Sequence, residues 1–125
     1  MKRVIVCGSR HWQDREAIAD RLYDLSADSD NLNCVVVHGG AAGADRIAAQ
    51  EALKLGLLVE AHPARWEKHG KAAGPIRNRE MGSLGAVLCI AFWDGRSQGT
   101  RDMIEVAGQN GIPVEIILGV LDEVA

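Results

Sequence analysis

Three features of the sequence predict an α/β fold in which a five-stranded parallel sheet, ordered 3-2-1-4-5, lies between two layers of helices. Five short apolar runs are mostly rich in β-branched residues, they are apolar almost throughout instead of alternating, and segments with helical spacing separate them. Near-continuous apolarity is what strands buried on both faces require, and such sheets are usually parallel. Parallel neighbours need crossovers, and right-handed helical crossovers produce an open three-layer sandwich.

The first strand is Val4 to Cys7, and the following helix carries the stripe Ile18, Leu22 and Leu25. Cys34 to Val37 is the second strand; Ile47, Ala48, Ala52 and Leu55 mark the second helix, with Gly56 as its stop. Leu57 to Val59 is the third strand. From His62 to Pro75, the residues Pro63, Trp66, His69, Gly70 and Gly74 interrupt both periods, so a loop with room for one helical turn is expected. The segment Gly74 to Met81 begins a helix, with Pro75 tolerated in its first turn. Ala86 to Phe92 is the fourth strand, Met103, Ile104 and Ala107 mark a helix ended by Gly111 and Pro113, and Val114 to Leu118 is the fifth strand. The tail from Gly119 to Ala125 reads as a short helix or a frayed end.

Composition bounds the rest. The chain has 125 residues, 47% of them hydrophobic and 25% charged, enough for one core, so residues 1–125 are read as a single domain. The 14 basic and 17 acidic residues leave a formal charge of −3, which supplies no global attraction to nucleic acid or acidic lipid; phosphate binding is expected to be local, and nucleic acid is not the expected partner. No apolar run approaches the roughly 20 residues of a membrane span, and Met1-Lys2-Arg3 leads into a run too short for a signal peptide, so a cytoplasmic location is expected. Cys7, Cys34 and Cys89 each sit in an apolar run and read as buried, reduced thiols. No metal site and no required cofactor are expected.

Ligands of open parallel sheets bind beyond the carboxyl ends of the strands, and the glycine-rich loops fall there. After strand one, Gly8 permits close approach, Ser9 offers a hydroxyl and Arg10 a forked cation; alone, these also describe a tight turn with a surface arginine. After strand two, His38-Gly39-Gly40-Ala41-Ala42-Gly43-Ala44-Asp45 opens a helix with no side chain bulky enough to keep a ligand from the main chain, so Gly39, Gly40 and Gly43 are expected to bring N–H groups to an anion. Asp45 either accepts from a ribose hydroxyl or complements the positive helix end. His38 is read as a packing histidine or a catalytic one. After strand four, Gly99 and Thr100 repeat the phosphate-type turn, although Thr100 also suits a helix cap. Trp93 and Trp66 each read as a base-stacking platform or as cover for the core edge. Of Arg77 and Arg79, only one should face the cleft, and Asn78 can reach inward.

Together these residues resemble the SLOG superfamily, Rossmann-like domains that include the DNA-processing protein Smf/DprA and the Lonely Guy cytokinin-activating enzymes, and within it the small YspA-like branch. The resemblance rests on Val6-Cys7-Gly8-Ser9-Arg10, the His38 to Asp45 run, Pro63-Ala64-Arg65-Trp66, Ala73-Gly74-Pro75-Ile76-Arg77-Asn78 and Gly99-Thr100-Arg101-Asp102-Met103. It implies a nucleotide-type ligand between the glycine loops and, in the Lonely Guy branch, hydrolysis of the bond between a base and ribose phosphate. Arg77-Asn78-Arg79-Glu80-Met81 is similar to that branch's Arg-Lys-x-x-Met, which makes Arg77 the counterpart of its catalytic arginine. Its Pro-Gly-Gly-x-Gly-Thr-x-x-Glu departs here, with Arg96-Ser97 for the first glycines and Met103 for the glutamate. A thioether neither carries charge nor moves a proton. Asp102, about 100° further round a helix, is the substitute candidate.

Three expectations follow. The first is a nucleotide-binding module, a sensor or ligand carrier, in which Gly8, Ser9, Arg10, the Gly39 to Gly43 loop, Asp45, Asn78, Trp93, Gly99 and Thr100 contact the ligand. The alternative is a nucleotide N-glycosidase with Arg77 and Asp102 as catalytic residues; DprA-like nucleic-acid binding is the third. A homodimer is expected from the family tendency and the apolar residues that so small a domain leaves exposed.

Overall fold

The computed structural model describes residues 1–28 and 33–119. Its strands β1 (Lys2–Gly8), β2 (Cys34–His38), β3 (Leu58–Ala61), β4 (Leu88–Trp93) and β5 (Val114–Leu118) form one parallel sheet in the order β3-β2-β1-β4-β5. Both faces of its centre are buried. Val4 and Val6 of β1 point into one layer with Val36, Ile90 and Phe92, against Ile18 and Leu22 of α1 (Arg15–Asp28) and Ala44, Ala48 and Ala52 of α2 (Ala44–Lys54). Ile5 and Cys7 point the other way with Val35, Val37, Cys89 and Ala91, against Met81 of α4 (Ala73–Ser83) and Met103, Val106 and Ala107 of α5 (Gln98–Gln109). The period-2 geometry of a strand and the small residues of α2 explain why alternate side chains serve two separate cores.

The expected strands are present, with shifts at their ends. Leu57, expected to open the third strand, instead lies buried just before it, and β3 runs on into Glu60 and Ala61. As an edge strand, β3 can carry polar and exposed positions that a central strand cannot. The largest correction concerns His62 to Pro75. Helix α3 (Trp66–His69), a 3₁₀ turn (Gly70–Ala72) and α4 follow one another without a break, so only His62 to Arg65 is irregular. Pro75 is the third residue of α4, where its missing N–H has no helical partner to lose. Cys7, Cys34 and Cys89 are all free and buried. No helix among the described residues is long and apolar enough to cross a membrane. In the tail, residues 120–125 lie outside the described residues.

The first two ligand-end loops are locked together. Ser9 is wholly buried; its N–H donates to the Phe92 carbonyl at 3.0 Å, and its own carbonyl accepts from Trp12 at 3.2 Å and Ala44 at 3.1 Å. Gly43 has φ 75°, and a side chain there would strike the carbonyls of Ser9 and Arg10. Gly43→Ala should therefore cost about 2–4 kcal/mol of stability, from left-handed backbone strain plus overpacking against backbone. Urea unfolding followed by circular dichroism measures this, and a loss below about 0.5 kcal/mol would contradict the locked-loop geometry.

Candidate functional site

The loops after β1, β2 and β4, with α3, α4 and the start of α5, enclose a cavity of about 760 Å³ at the carboxyl ends of the strands. Of the residues expected to bind or act, Gly8, Arg10, Asp45, Arg77, Asn78, Gly99, Thr100 and Asp102 line it. Ser9, Gly39, Gly40, Gly43 and Trp93 do not line it and lie in the supporting layer.

The glycine loop after β2 is folded around an acid. Oδ2 of Asp45 accepts from the N–H of Gly39 at 2.9 Å and of Ala41 at 3.3 Å, and Nδ1 of His38 accepts from Gly40 at 2.9 Å. Of the N–H groups expected to meet an anion, those of Gly39 and Gly40 are thus held by protein acceptors, as is that of Ala41. Those of Ala42 and Gly43 have no protein acceptor among the described residues. Because His38 accepts at Nδ1, its neutral ring carries the proton on Nε2; burial pulls its pKa down, helped by His62 and Arg77.

From this loop a hydrogen-bonded chain crosses the end of the sheet. Arg77 donates through Nη1 to the Gly39 carbonyl at 2.5 Å and through Nε to Oδ1 of Asn78 at 2.9 Å. Asn78, buried, donates through Nδ2 to Oδ2 of Asp102 at 2.8 Å and to the Gly99 carbonyl at 3.3 Å. A side chain at Gly39 would collide with the Arg77 guanidinium, so that glycine serves the arginine and not a ligand directly. Helical spacing turns Arg79 away; it is exposed and off the cavity. Thr100 is not a cap: Ser97 occupies the N-cap position, and Thr100 lies buried inside the first turn of α5.

Asp102 and Met103 both line the cavity, so a one-residue step along α5 does not remove the carboxylate from it. Met103, Met81 and Cys7, all buried, give the cavity an apolar, sulfur-rich floor. Cys7's thiol is pushed well up by its hydrogen bond with Cys89 and by burial, and is thereby an inert neutral group.

At the mouth stand the exposed cations Arg10, Lys71 and Arg96. The Arg10 guanidinium lies 5.7 Å from the ring centroid of Trp66, which is 47% exposed and also lines the cavity. Lys71 and Arg96 were not anticipated from the sequence; isolated charges in irregular segments look like any solvated surface. Trp93 is tied elsewhere, donating through Nε1 to the Ser97 carbonyl at 3.1 Å beneath Arg101. Asp94 organises the β4 loop, its Oδ1 accepting from the N–H groups of Arg96 and Ser97, both at 2.8 Å. The cavity therefore carries four basic side chains (Arg10, Lys71, Arg77, Arg96) against three acidic ones (Asp45, Asp94, Asp102) in a chain of net charge −3. The excess of basic side chains is thus local to the cavity, in keeping with the expectation from overall charge that any phosphate contact would be local.

Three polar atoms of the cavity-lining acids and arginine make no hydrogen bond within the protein. Oδ1 of Asp45, Oδ1 of Asp102 and Nη2 of Arg77 have no protein partner. Among the described residues, the one side-chain polar atom that is both fully buried and unpartnered is Nη2 of Arg3, so these three reach open space. Burial raises the Asp45 pKa to about 6, against the pull of the Ala41 hydrogen bond and of Arg77. No cluster of three or more His, Cys, Asp or Glu side chains suited to a metal ion occurs among the described residues.

Comparison with known proteins places these features in context. Residues 2–69 match the model of the YspA, cpYpsA-related SLOG family. The chain is 47% identical over 119 residues to the Gene 61 protein of Mycobacterium phage D29, covering 91% of this chain and 94% of that protein. Among solved structures it is similar to DNA processing protein A of Streptococcus pneumoniae, with TM-score 0.76 and 24% identity over 97% of this chain and 52% of that one. It is also similar to DNA processing protein A of Helicobacter pylori, whose structure addresses single-stranded DNA binding, with TM-score 0.69 and 18% identity over 98% of this chain and 67% of that one. The chain spans about half the length of the S. pneumoniae protein. At these identities the structural likeness shows the fold.

The raised pKa of Asp45 has a testable sign. With a folded pKa of about 6 against 3.8 when free, the folded state binds the extra proton between those values, and stability falls as pH rises from about 4 to above 6. Asp45→Asn keeps an amide oxygen for Gly39 and Ala41 while removing the charge. It should raise stability by up to about 3 kcal/mol at pH 8 and make no such difference near pH 4. Thermal melts across pH check this; a destabilised Asp45→Asn protein at pH 8 would contradict the geometry.

Proposed function

Because the chain belongs to the YspA, cpYpsA-related SLOG family, we propose that its cavity binds a nucleotide or nucleotide-derived phosphorylated ligand and that the protein acts as a sensor or ligand-binding module. The observation that carries this reading is the sorting of charge within one cavity: exposed cations at the mouth, and unpartnered polar atoms of buried or half-buried Asp45, Asp102 and Arg77 inside. Burial pushes the Asp45 pKa up to about 6, and a perturbed carboxyl group lining a cavity supports a binding role there beside its part in closing the glycine loop. Phosphate suits Arg10 and Arg96, whose planar guanidinium groups offer paired donors. Neither a metal nor a second cofactor is invoked. The same mouth suits a nucleotide within a strand, since Trp66 presents an exposed ring beside Arg10 and Lys71 lines the same cavity.

Catalysis is a second reading, favoured by one observation: Asp102 faces the cavity and is held by Asn78 beside Arg77. In N-glycosidic hydrolysis, Arg77 would hold the phosphate or the leaving base, and Asp102 would stabilise positive charge on the sugar while water attacks. Yet Asp102 already accepts from Asn78, and Met103, at the position of the family glutamate, adds no proton donor or charge. Binding without turnover is therefore the reading adopted.

Native mass spectrometry of freshly purified protein should show a nucleotide-sized adduct, and the same spectrum reports whether the chain is a dimer. In calorimetric titration, Arg10→Ala and Arg96→Ala should each weaken nucleoside 5′-monophosphate binding about 10-fold or more, the usual cost of losing a charge-assisted hydrogen bond. Unchanged affinity in both variants would contradict the phosphate assignment, and tight binding of a short oligonucleotide alone would favour the strand. Incubation with mononucleotides and dinucleotides should release no free base; stoichiometric release within minutes, abolished by Asp102→Asn, would assign the hydrolase instead.

A further inference from the structure

A carboxylate oxygen accepts hydrogen bonds, donates none when ionised and repels phosphate. Two acids in the cavity lining, Asp45 and Asp102, each keep one such oxygen free of any hydrogen bond within the protein. Asp45 is 5% exposed and lines the cavity; its Oδ2 is filled by the N–H groups of Gly39 and Ala41, and its Oδ1 has no hydrogen bond within the protein and is not fully buried. Asp102 repeats the pattern, with Oδ2 filled by Asn78 and Oδ1 open. Arg77 feels the field of both acids; its Nε and Nη1 are engaged by Asn78 and by the Gly39 and His62 carbonyls, and its Nη2 makes no hydrogen bond within the protein.

A complementary ligand presents hydroxyl or N–H donors to the two acids, an acceptor to Arg77 and its anionic group to the mouth. A ribose 5′-phosphate unit does all of this, with a vicinal diol at one end and phosphate at the other. A 2′-deoxyribose unit lacks one of the two donors and leaves a carboxylate oxygen desolvated without a partner.

We propose, on the basis of the nucleotide reading, that this cavity selects ribonucleotides over 2′-deoxyribonucleotides, with the open oxygens of Asp45 and Asp102 accepting from the 2′- and 3′-hydroxyls. Nη2 of Arg77 donates to a sugar oxygen, and Arg10, Lys71 and Arg96 hold the phosphate. Discrimination arises as in any site built to bond a hydroxyl: the analogue without it strands a polar group. The base contributes affinity and no selectivity at these acids.

The test is calorimetric titration of the full chain with the four ribonucleoside 5′-monophosphates, their 2′-deoxy and 3′-deoxy counterparts and ribose 5-phosphate. Whatever the base, each ribonucleotide should bind about 10-fold or more tightly than its 2′-deoxy form. Asp45→Asn preserves the glycine loop while turning the open acceptor into a donor, and should reduce that ratio to below about 3-fold by weakening the ribonucleotide; Asp102→Asn should act in the same direction. Equal affinity for ribo and deoxy forms would overturn ribose selection while leaving the nucleotide reading intact. A preference for guanine in both sugar series, lost in Asp45→Asn, would assign the acid to a base edge and overturn it equally. Failure of every nucleotide to bind would instead remove the nucleotide reading, and this inference with it.

Discussion

One buried carboxylate, that of Asp45, ties together the loops at the carboxyl end of the sheet. Oδ2 of Asp45 closes the loop after β2 by taking the N–H groups of Gly39 and Ala41. That closure presents the Gly39 carbonyl to Arg77, which orients Asn78, which in turn holds Asp102 and the Gly99 carbonyl at the start of α5. Helices from both layers of the sandwich are so joined across the sheet by hydrogen bonds instead of apolar contact. Such a network is strong only while each member is satisfied, because the low dielectric that strengthens its bonds also penalises any orphan. The atoms it leaves without a hydrogen bond belong to residues that line the cavity.

Much of this architecture could be read from the residues. The five strands and their order follow from apolar runs that must be buried on both faces, and β1, with Val4 and Val6 on one side and Ile5 and Cys7 on the other, shows why. The glycine loops were legible as places of close approach, but what approaches was not. Gly8 makes room for the Phe92 carbonyl and Ala44, Gly39 for Arg77, and Gly43 for the β1 loop. A sequence displays donors without their acceptors: that Asp45 would turn back six residues to fill the N–H of Gly39 depends on the loop's closure, which only the folded chain defines. For the same reason Trp66 and Trp93 were indistinguishable until the α3 to α4 segment placed the first on the cavity and the Ser97 carbonyl captured the second.

Charge offers a parallel lesson. A net charge of −3 describes solubility and long-range attraction, whereas a ligand meets the few groups around a cavity, and here those are predominantly basic at the exposed edge. The matched family model spans residues 2–69, which hold β1, both early loops and Trp66, while Arg77, Asn78, Asp102 and Met103 lie beyond it. It is in this second part that the chain departs from the Lonely Guy pattern: the position of a glutamate becomes an apolar floor, and the neighbouring carboxylate is retained but tied to Asn78. The combination keeps a carboxylate in the lining of the cavity, one residue before the methionine.

The central claim is that acids inside and cations at the mouth orient one ligand within a single cavity. A crystal structure of the protein soaked with a ribonucleoside 5′-monophosphate tests it most directly. The phosphate is predicted beside Arg10 and Arg96, with ribose hydroxyls within hydrogen-bond distance of Asp45 and Asp102. A phosphate seated against Asp45, or a nucleotide bound elsewhere on the protein with this cavity unoccupied, would contradict the account.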